Sequence, residues 1–358
     1  MDKLNLIRKQ LEHYGSDALF VSGQENVTYL TAKAGLNSDE REVFLVITKK
    51  SAYLLAFSTT FAMYRRTAGF IPVELTNQYR LSKAIIDIAG KEKLKTLAFE
   101  KNYVSYSEYI SLKEKLSLKL TPSENIIEKM RLIKSNAEIE SIKKAASVTD
   151  SAYEYAARLI KPGITEKNLA LNLEFFIRKN SQNIAFSPIV AFNQNSAIPH
   201  YLPSDKVTLK NHSIILIDMG AKFLNYCSDL TRVICFGSPS DRLVKLYQTV
   251  LTAQENALSQ LTSGKTGDEI DRLTREYIEQ QGYPAFKHGL GHGVGLAIHE
   301  APRLKPGSHE ILCENMVVTV EPGIYIEGFA GIRIEDLVLI TSRGPKLLSR
   351  APKEITVI

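Results

Sequence analysis

Cysteine is scarce in this chain of 358 residues. The three cysteines, Cys227, Cys235 and Cys313, form no CxxC pair, and their number is odd. That pattern argues against a disulfide framework and against a zinc site built from thiolates. We therefore expect three buried free thiols.

Long apolar runs are also missing. No segment approaches the roughly 18 consecutive apolar residues that a membrane helix requires, so we expect no membrane partner. The first fifteen residues, MDKLNLIRKQLEHYG, contain neither the apolar core nor the small-residue cleavage site of a secretory signal. These absences predict a cytoplasmic protein.

Three kinds of site lack their sequence signatures. The net charge of +6 is modest and the lysines are scattered without interleaved aromatic residues, which argues against a nucleic-acid partner. The stretch HGLGHGVG at 288–295 is followed by no GK[ST], which disfavours a phosphate loop. No GxSxG elbow is present, and a Ser/His/Asp hydrolase would leave the carboxylates within residues 213–236 and 316–341 unexplained.

The length and the hydrophobic pattern suit two domains. Residues 1–122 alternate helix-like and strand-like segments, which predicts a small α/β domain. Residues 123–134 are typical of a linker helix. Ser135 followed by Glu138 forms a capping box, so a second domain is expected over residues 135–358.

The second domain contains a loose internal repeat. The segments LIKPGITEKNLALNLEFFIRKN (159–180) and LTSGKTGDEIDRLTREYIEQQ (261–281) each predict a helix end, a glycine turn and a helix. Beyond them the dipeptides Ala-Phe and Ala-Ile both recur 100 positions later, and His200 and His299 follow the second dipeptide. This order predicts two similar halves that face each other across a cleft.

A first predicted hairpin pairs two aspartates. The segment SIILIDMGAKFLNYCSDLTRVICF (213–236) is rich in residues that favour strands. A turn centred between Phe223 and Leu224 would place Asp218 opposite Asp229, with Cβ atoms about 5 Å apart.

A second predicted hairpin pairs two glutamates. Residues 316–341 flank a loop centred on Gly328, and that register places Glu321 opposite Glu335. Like charges opposite each other destabilise a sheet unless a cation neutralises them. Four carboxylates, together with one imidazole from the stretch at 288–295, suit two divalent ions about 3.5–4 Å apart.

Four sequence blocks resemble the signatures of a known family. They are, in order, LIDMGAKFLNYCSDLTR, HGLGHGVGLAIHEAP, VEPGIY and GIRIED. They resemble the metallopeptidases with the pita-bread fold, specifically the Xaa-Pro dipeptidases (prolidases) and the similar Xaa-Pro aminopeptidases. DALFVSGQENVTYLTA resembles the N-terminal domain of that group. The resemblance implies an α/β (α+β) fold, in which a small creatinase-like N-terminal domain precedes a pita-bread catalytic domain with an internal pseudo-twofold repeat.

The resemblance also implies a role for each matching residue. The ligands of two divalent metal ions per subunit, manganese, cobalt or zinc, would be Asp218, Asp229, His292, Glu321 and Glu335, of which Asp229 and Glu335 would bridge both ions. Glu321 would also act as the acid/base. His200 and His299 would line the substrate cleft, bind the peptide and stabilise the developing oxyanion. For His288, a role in lining the cleft and a structural role both stay open.

Two arginines complete the implied site. Arg333 matches the family's arginine beside the metals, whose guanidinium can anchor a ligand carboxylate, and it is also assigned to substrate binding. Arg303, in HEAPR, would anchor the carboxylate of a short substrate. Asn225 stands where many relatives have glycine, and asparagine tolerates the positive φ that a turn requires there.

The implied activity is hydrolysis of the Xaa-Pro bond of a proline-containing dipeptide or short peptide by a homodimer. The short chain and the 14-residue separation of Glu321 from Glu335 favour a dipeptidase, and an Xaa-Pro aminopeptidase acting on longer peptides stays open. A catalytically silent binding module is the alternative from another class, although such modules usually lack metal ligands. Methionine aminopeptidase shares the catalytic fold, but the N-terminal domain argues against it.

Overall fold

The computed structural model describes residues 3–33 and 41–358. Its packing divides the chain into two compact units, which we call the N-terminal unit (Met1–Arg131) and the C-terminal unit (Leu132–Ile358). In the described ranges, no helix combines the length and the apolar content that crossing a membrane would require.

A mixed six-stranded sheet forms the core of the N-terminal unit, as far as that unit is described. The strands are Ala18–Val21 (β1), Val43–Thr48 (β2), Ala52–Phe57 (β3), Ile71–Leu75 (β4), Thr96–Glu100 (β5) and Lys119–Ser123 (β6). The helices are Lys3–His13 (α1), Gln24–Thr31 (α2), Ser58–Tyr64 (α3), Leu81–Glu92 (α4), Tyr106–Lys115 (α5) and Ile126–Leu132 (α6). The strand order is β4-β3-β2-β1-β5-β6, and β1 runs antiparallel to β2 but parallel to β5. The predicted α/β domain is confirmed.

The hydrophobic pattern breaks at residues 121–123, which lie in strand β6. This strand is at the edge of the sheet and pairs in parallel with β5, where Phe99 lies opposite Pro122. Proline is tolerated in an edge strand because one side of that strand has no ladder partner. Helix α6 follows, within the predicted linker segment 123–134.

In each half of the C-terminal unit, two helices precede most of the strands of one main sheet. The helices are Asn136–Leu159 (α7), Glu166–Asn180 (α8), Asp241–Gln260 (α9) and Gly267–Gln280 (α10). The strands are Asn183–Ile184 (β7), Ile189–Phe192 (β8), Ser213–Met219 (β9), Ala221–Phe223 (β10), Tyr226–Cys227 (β11), Leu230–Phe236 (β12), Gly291–Gly293 (β13), Glu300–Leu304 (β14), Val317–Val320 (β15), Gly323–Ile326 (β16), Ala330–Arg333 (β17), Asp336–Thr341 (β18), Gly344–Leu347 (β19) and Thr356–Val357 (β20). The two main sheets have the orders β20-β12-β9-β8 and β14-β13-β15-β18-β19.

The two halves match in the way their second helices begin. Thr165 caps α8 and Thr266 caps α10 through the side-chain hydroxyl. Each threonine also forms an isolated β-bridge, to Thr208 and to Ile311 respectively. The apolar core that α7 and α8 share contains residues of the first sheet, whereas the core that α9 and α10 share contains residues of both main sheets. The beginning of α7 also packs against β15 and β18 of the second sheet. The internal repeat predicted from the sequence is confirmed.

Helix α7 begins at the predicted capping box. The Ser135 hydroxyl accepts from the Glu138 amide, and the Glu138 carboxylate accepts from the Ser135 amide at 2.9 Å. Ile139, Ile142 and Ala146 are all buried. The apolar spacing in the sequence therefore identifies the buried face of this helix.

The three cysteines are free thiols. Cys227 and Cys235 are buried, as expected, but Cys313 is only partly buried. The expectation of burial is wrong for Cys313 because this residue lies in the connection between β14 and β15, and connecting segments run along the surface.

Candidate metal centre

The first hairpin differs from its predicted register by two residues. In the ladder between β9 and β12, Asp218 pairs with Thr231 and not with Asp229. The turn consists of Leu224 and Asn225, which both have positive φ, so it is centred one residue later than predicted. A shift of two residues leaves each side chain on its predicted face of the sheet. Asp218 and Asp229 accordingly line the same cleft.

The second hairpin has the predicted register, which is confirmed by the pairing of β15 with β18 and of β16 with β17. Glu321 and Glu335 lie between these strand pairs, where the ladder is interrupted. There the Glu321 amide donates to the Leu290 carbonyl at 2.8 Å, and the Glu335 amide donates to the Thr231 carbonyl at 3.2 Å. Both glutamates are thus held by backbone contacts outside their own hairpin.

His292 lies on the short strand β13 between two glycines. A Cβ atom at Gly291 would come within 2.0 Å of the Thr319 carbonyl oxygen, so a larger residue would force the strands apart. The His292 Nε2 atom is 3.5 Å from Asp229 Oδ2 and 3.3 Å from Glu321 Oε1. The other ring nitrogen, Nδ1, is 3.1 Å from the carbonyl oxygen of the next residue. Because both ring nitrogens face oxygen acceptors, the space between Nε2 and the carboxylates of Asp229 and Glu321 suits a proton or a cation.

Three buried side chains converge closely enough to hold a metal ion. Within the described residues, one ligand atom each from Asp229, His292 and Glu335 lies within 4.8 Å of the others. Two buried oxygens, Oδ1 of Asp218 and Oε1 of Glu335, have no hydrogen-bond partner in the part of the chain that the structure describes. Carboxylate and imidazole groups are ligands for divalent cations. A cation would satisfy these unpaired oxygens, so the residues fit a metal.

The carboxylates of this cluster differ in the direction of their pKa shifts. Burial raises the pKa of Asp229 well above its ordinary value, and the charge of Glu335 raises it further. Burial also raises the pKa of Glu335, and the charge of Glu321 adds to that shift. At Glu321, burial acts in the same direction, but the hydrogen bond from His292 contributes to a net lowering of the pKa to about 2. Burial and mutual repulsion therefore favour the protonated forms of Asp229 and Glu335, whereas Glu321 is ionised at neutral pH.

Arg333 forms four hydrogen bonds, two of which connect the second hairpin to the first. It donates to Asp218 Oδ2 at 2.5 Å, to the Thr231 hydroxyl at 3.0 Å, to the Tyr325 hydroxyl at 3.2 Å and to the Pro199 carbonyl at 3.5 Å. Its guanidinium thus anchors one of the predicted ligand carboxylates. Because its donors are engaged with protein groups, a contact between Arg333 and substrate stays a prediction.

Sequence reasoning missed two residues of this network. The Thr231 hydroxyl donates to Glu335 Oε2 at 2.7 Å, and the Tyr325 hydroxyl lies 2.8 Å from His288 Nε2. The correct hairpin register would have revealed Thr231, because it places this residue opposite Asp218. For Tyr325 the available signal was its position in the VEPGIY block.

A cleft of about 500 Å³ opens over this cluster, and all nine predicted site residues line it. His200 and His299 are exposed at its surface. The rings of His292 and His299 lie 4.3 Å apart, centroid to centroid. Although part of the His299 ring reaches solvent, its partial burial, with the charges of His292 and Arg303, lowers the pKa of His299 to about 4. The His299 ring is therefore neutral at pH 7.

The wall of the cleft contains further groups for recognising a ligand. Within residues 3–33 and 41–358, the Arg303 side chain makes no hydrogen bond or ion pair, and so it is available to an anion. Phe186 and Ile298 add apolar surface. His288 both lines the cleft and contacts Tyr325. The cleft-lining role and the structural role that the sequence left open for this residue are therefore compatible.

Comparison with family models assigns both units. Residues 140–342 match Metallopeptidase family M24, and residues 3–133 match the Creatinase/Prolidase N-terminal domain. The Xaa-Pro dipeptidase of Pyrococcus horikoshii is 34% identical over 356 residues, which cover 99% of this chain and 98% of that protein.

Solved structures show the same similarity. The Xaa-Pro dipeptidase from Bacillus anthracis has a TM-score of 0.94 at 35% identity, covering 100% of this chain and 99% of that one. The X-Pro aminopeptidase from Thermotoga maritima has a TM-score of 0.88 at 33% identity, covering 98% of this chain and 100% of that one. The predicted pita-bread fold and the family resemblance are confirmed. Since the peptidase model spans more than half of its residues, this chain belongs to metallopeptidase family M24.

Proposed function

We propose that this metallopeptidase hydrolyses the Xaa-Pro bond of proline-containing dipeptides and uses two divalent metal ions per subunit. The observation that carries this proposal is the buried cluster of Asp229, His292 and Glu335, with Asp218 and Glu321 in the same cleft. The names of the relatives from Pyrococcus horikoshii and Bacillus anthracis, both Xaa-Pro dipeptidases, support the substrate class.

The proposed metal ligands are Asp218, Asp229, His292, Glu321 and Glu335, with Asp229 and Glu335 shared between the two ions. The unpaired oxygens of Asp218 and Glu335 support this assignment. Manganese, cobalt or zinc would suit this mixture of carboxylate and imidazole. When bound, the two cations would lower the pKa of a water molecule and polarise the scissile carbonyl.

The remaining steps fall to side chains of the cleft. Glu321, which is ionised at neutral pH, accepts a proton from the attacking water and passes it to the departing proline nitrogen. His200 and the neutral ring of His299 bind the peptide and donate hydrogen bonds to the oxyanion as it forms. Arg303 binds the carboxylate that ends a dipeptide, while Arg333 holds Asp218 and contributes to the substrate side of the cleft.

The unpaired Arg303 favours a dipeptidase because the free carboxylate of a dipeptide lies close to the bond that is cleaved. The likeness to the Thermotoga maritima aminopeptidase favours the second candidate, an Xaa-Pro aminopeptidase acting on longer peptides. We also propose, from the family resemblance, a cytoplasmic homodimer. Its domains would be residues 1–122 and 135–358, joined by the linker 123–134.

The substrate is tested with the purified protein and added Mn²⁺ or Co²⁺. Hydrolysis of Ala-Pro and of Ala-Pro-Ala-Ala is compared at matched concentration. We expect the dipeptide to be cleaved faster, whereas a clear preference for the tetrapeptide would establish the aminopeptidase. A protein that binds neither metal and cleaves neither peptide would favour a binding module.

The metal ligands are tested with the variants Asp229→Ala and Glu335→Ala. Each variant should contain less metal in elemental analysis, and its activity should fall more than about a hundredfold. Loss of a residue that merely supports a metal ligand already costs up to about a hundredfold, and a ligand itself contributes more. Glu140→Ala is the matched control, since Glu140 is an exposed carboxylate of the same unit. Full metal content together with full activity in both ligand variants would contradict the assignment.

A further inference from the structure

Glu166, the first residue of helix α8, has a completely buried side chain. An acidic residue in the first turn of a helix is commonly exposed, where it interacts with the helix dipole. Here both carboxylate oxygens are used in tertiary contacts. Oε1 accepts from the Phe192 amide at 2.7 Å and from Asn195 Nδ2 at 2.9 Å. Oε2 accepts from the Tyr201 hydroxyl at 2.9 Å and from the Ser204 amide at 3.2 Å.

The four donors to Glu166 are all neutral groups of one segment, residues 192–204. Among the residues that the structure describes, Glu166 forms no ion pair with a lysine or arginine. A buried carboxylate without a cation is destabilising unless several hydrogen bonds satisfy it. Residues 192–204 thus contact the beginning of helix α8 through Glu166, and we infer that Glu166 organises that segment.

The same segment carries His200, which lines the cleft. Its opposite side is held by strand β17, where the Gly331 amide donates to the Ser196 hydroxyl at 2.8 Å. A Cβ atom at Gly331 would come within 2.0 Å of the Ser196 carbonyl oxygen. Arg333 also donates to the carbonyl of Pro199, the residue before His200. His200 therefore lies between two anchored neighbours, Pro199 and Tyr201.

We propose that Glu166 and Tyr201 are positioning residues that hold His200 in place over the catalytic cleft. The inference rests on the proposed function, in which His200 contacts the peptide. Tyr201 is suited to this task because its hydroxyl both donates to Glu166 and accepts from Asn195 Nδ2 at 2.9 Å. Burial, together with the hydrogen bond to Glu166, raises the pKa of Tyr201 to about 12, so the phenol keeps the proton that it donates.

The main test is the variant Tyr201→Phe, which removes one hydroxyl and leaves the ring. Its kcat/KM for Ala-Pro should fall roughly tenfold, which is less than the hundredfold that a misplacement of about 1 Å can produce. Metal content should not change, and the melting temperature should stay within about 4 °C of that of the wild type. Tyr79→Phe is the matched control, because the Tyr79 hydroxyl also donates to a carboxylate, Asp87, at 3.0 Å but lies in the N-terminal unit. This control should keep wild-type kcat/KM.

A double-mutant cycle distinguishes positioning from general destabilisation. If Tyr201 acts through His200, Tyr201→Phe should cause no further loss of kcat/KM when it is introduced into His200→Ala. An equal fractional loss in both backgrounds would overturn the proposal, and so would wild-type kcat/KM in Tyr201→Phe. Glu166→Gln should lose more activity than Tyr201→Phe. The NH2 group of glutamine donates hydrogen bonds, so it would face two of the four groups that now donate to the carboxylate.

A readout independent of activity separates this inference from the proposed function. The ring signals of His200 in the nuclear magnetic resonance spectrum can be assigned by their disappearance in His200→Ala. In Tyr201→Phe they should shift or broaden, whereas in Tyr79→Phe they should remain unchanged. If the wild type cleaves no Xaa-Pro peptide but these signals move as expected, the proposed function fails and the positioning role stands. Unchanged signals in Tyr201→Phe would overturn the positioning role.

Discussion

Glu100 is a buried carboxylate at the end of strand β5 in the N-terminal unit. It accepts hydrogen bonds from the Ser22 amide, the Gly23 amide and Asn26 Nδ2, each at 2.7 Å. Hydrogen bonds of this kind lower the pKa of a carboxyl group. Burial nevertheless outweighs them and raises the pKa of Glu100 from 4.5 to about 7. A single residue is therefore expected to make this unit sensitive to pH near neutrality.

The sign of this sensitivity follows from proton linkage. Because the pKa of Glu100 is higher in the folded state, the stabilisation from its proton is complete below about pH 4 and is lost as the pH rises through 7, by about 3 kcal/mol. Urea unfolding of the wild type and of Glu100→Gln between pH 5 and 8 checks this. The wild type should lose stability with rising pH relative to the variant, whatever the variant's absolute stability. A parallel dependence on pH in the two proteins would contradict the expectation.

Among the elements, the first hairpin has an unusual turn. Both of its central residues, Leu224 and Asn225, have positive φ, at 47° and 71°, which corresponds to a type I′ turn. Asparagine adopts this conformation readily, whereas leucine places its Cβ close to a backbone oxygen and is destabilised by roughly 1 kcal/mol. Leu224 is also 63% exposed, so little packing compensates for the strain.

Leu224→Asn should therefore stabilise the C-terminal unit. We expect the free energy of unfolding to increase by about 1 kcal/mol, because asparagine tolerates the left-handed conformation. Urea denaturation measures this change. Leu202→Asn is the matched control, since Leu202 is 85% exposed in a loop and does not have a positive φ. A similar gain in the control would show that the loss of exposed apolar surface, and not relief of the turn, explains the effect.

At the scale of the molecule, the proposed chemistry belongs to one of the two units. All nine residues of the cleft that we assign to metal or substrate lie in the C-terminal unit. A ligand that binds only the folded state stabilises the region that it binds, by about 2.7 kcal/mol when its concentration is a hundred times the dissociation constant. Metal should therefore stabilise the two units unequally.

Hydrogen exchange followed by mass spectrometry can locate this stabilisation in the full chain. Addition of Mn²⁺ should slow amide exchange in peptides from residues 213–236 and 316–341, which carry four of the proposed ligands, and should not do so in residues 41–131. A chelator should reverse the effect. In Glu335→Gln the slowing should be largely lost, because this carboxylate is proposed to bridge both ions. Equal slowing in both units would contradict a metal site confined to the C-terminal unit.

Much of the fold could be predicted from local patterns. The helix face of Ile139, Ile142 and Ala146 follows from spacing along one helix, and the capping box at Ser135 needs only a residue three positions away. The register of the second hairpin was also predictable, because its loop is centred on Gly328, which has the positive φ that glycine favours. The first register was not predictable in this way, because only one of its two turn residues, Asn225, favours a turn, whereas Leu224 has no turn preference.

The residue types available for the site follow from the sequence alone: four carboxylates, an imidazole and the neighbouring histidines and arginines in their characteristic blocks. How these side chains are supported depends on tertiary contacts. Thr231 bonds to Glu335 across a separation of 104 residues, and Arg333 bonds to Asp218 across 115. Such contacts depend on how the two halves of the C-terminal unit pack together. Local periodicity carries no information about that packing, because it reflects only neighbours along one helix or strand.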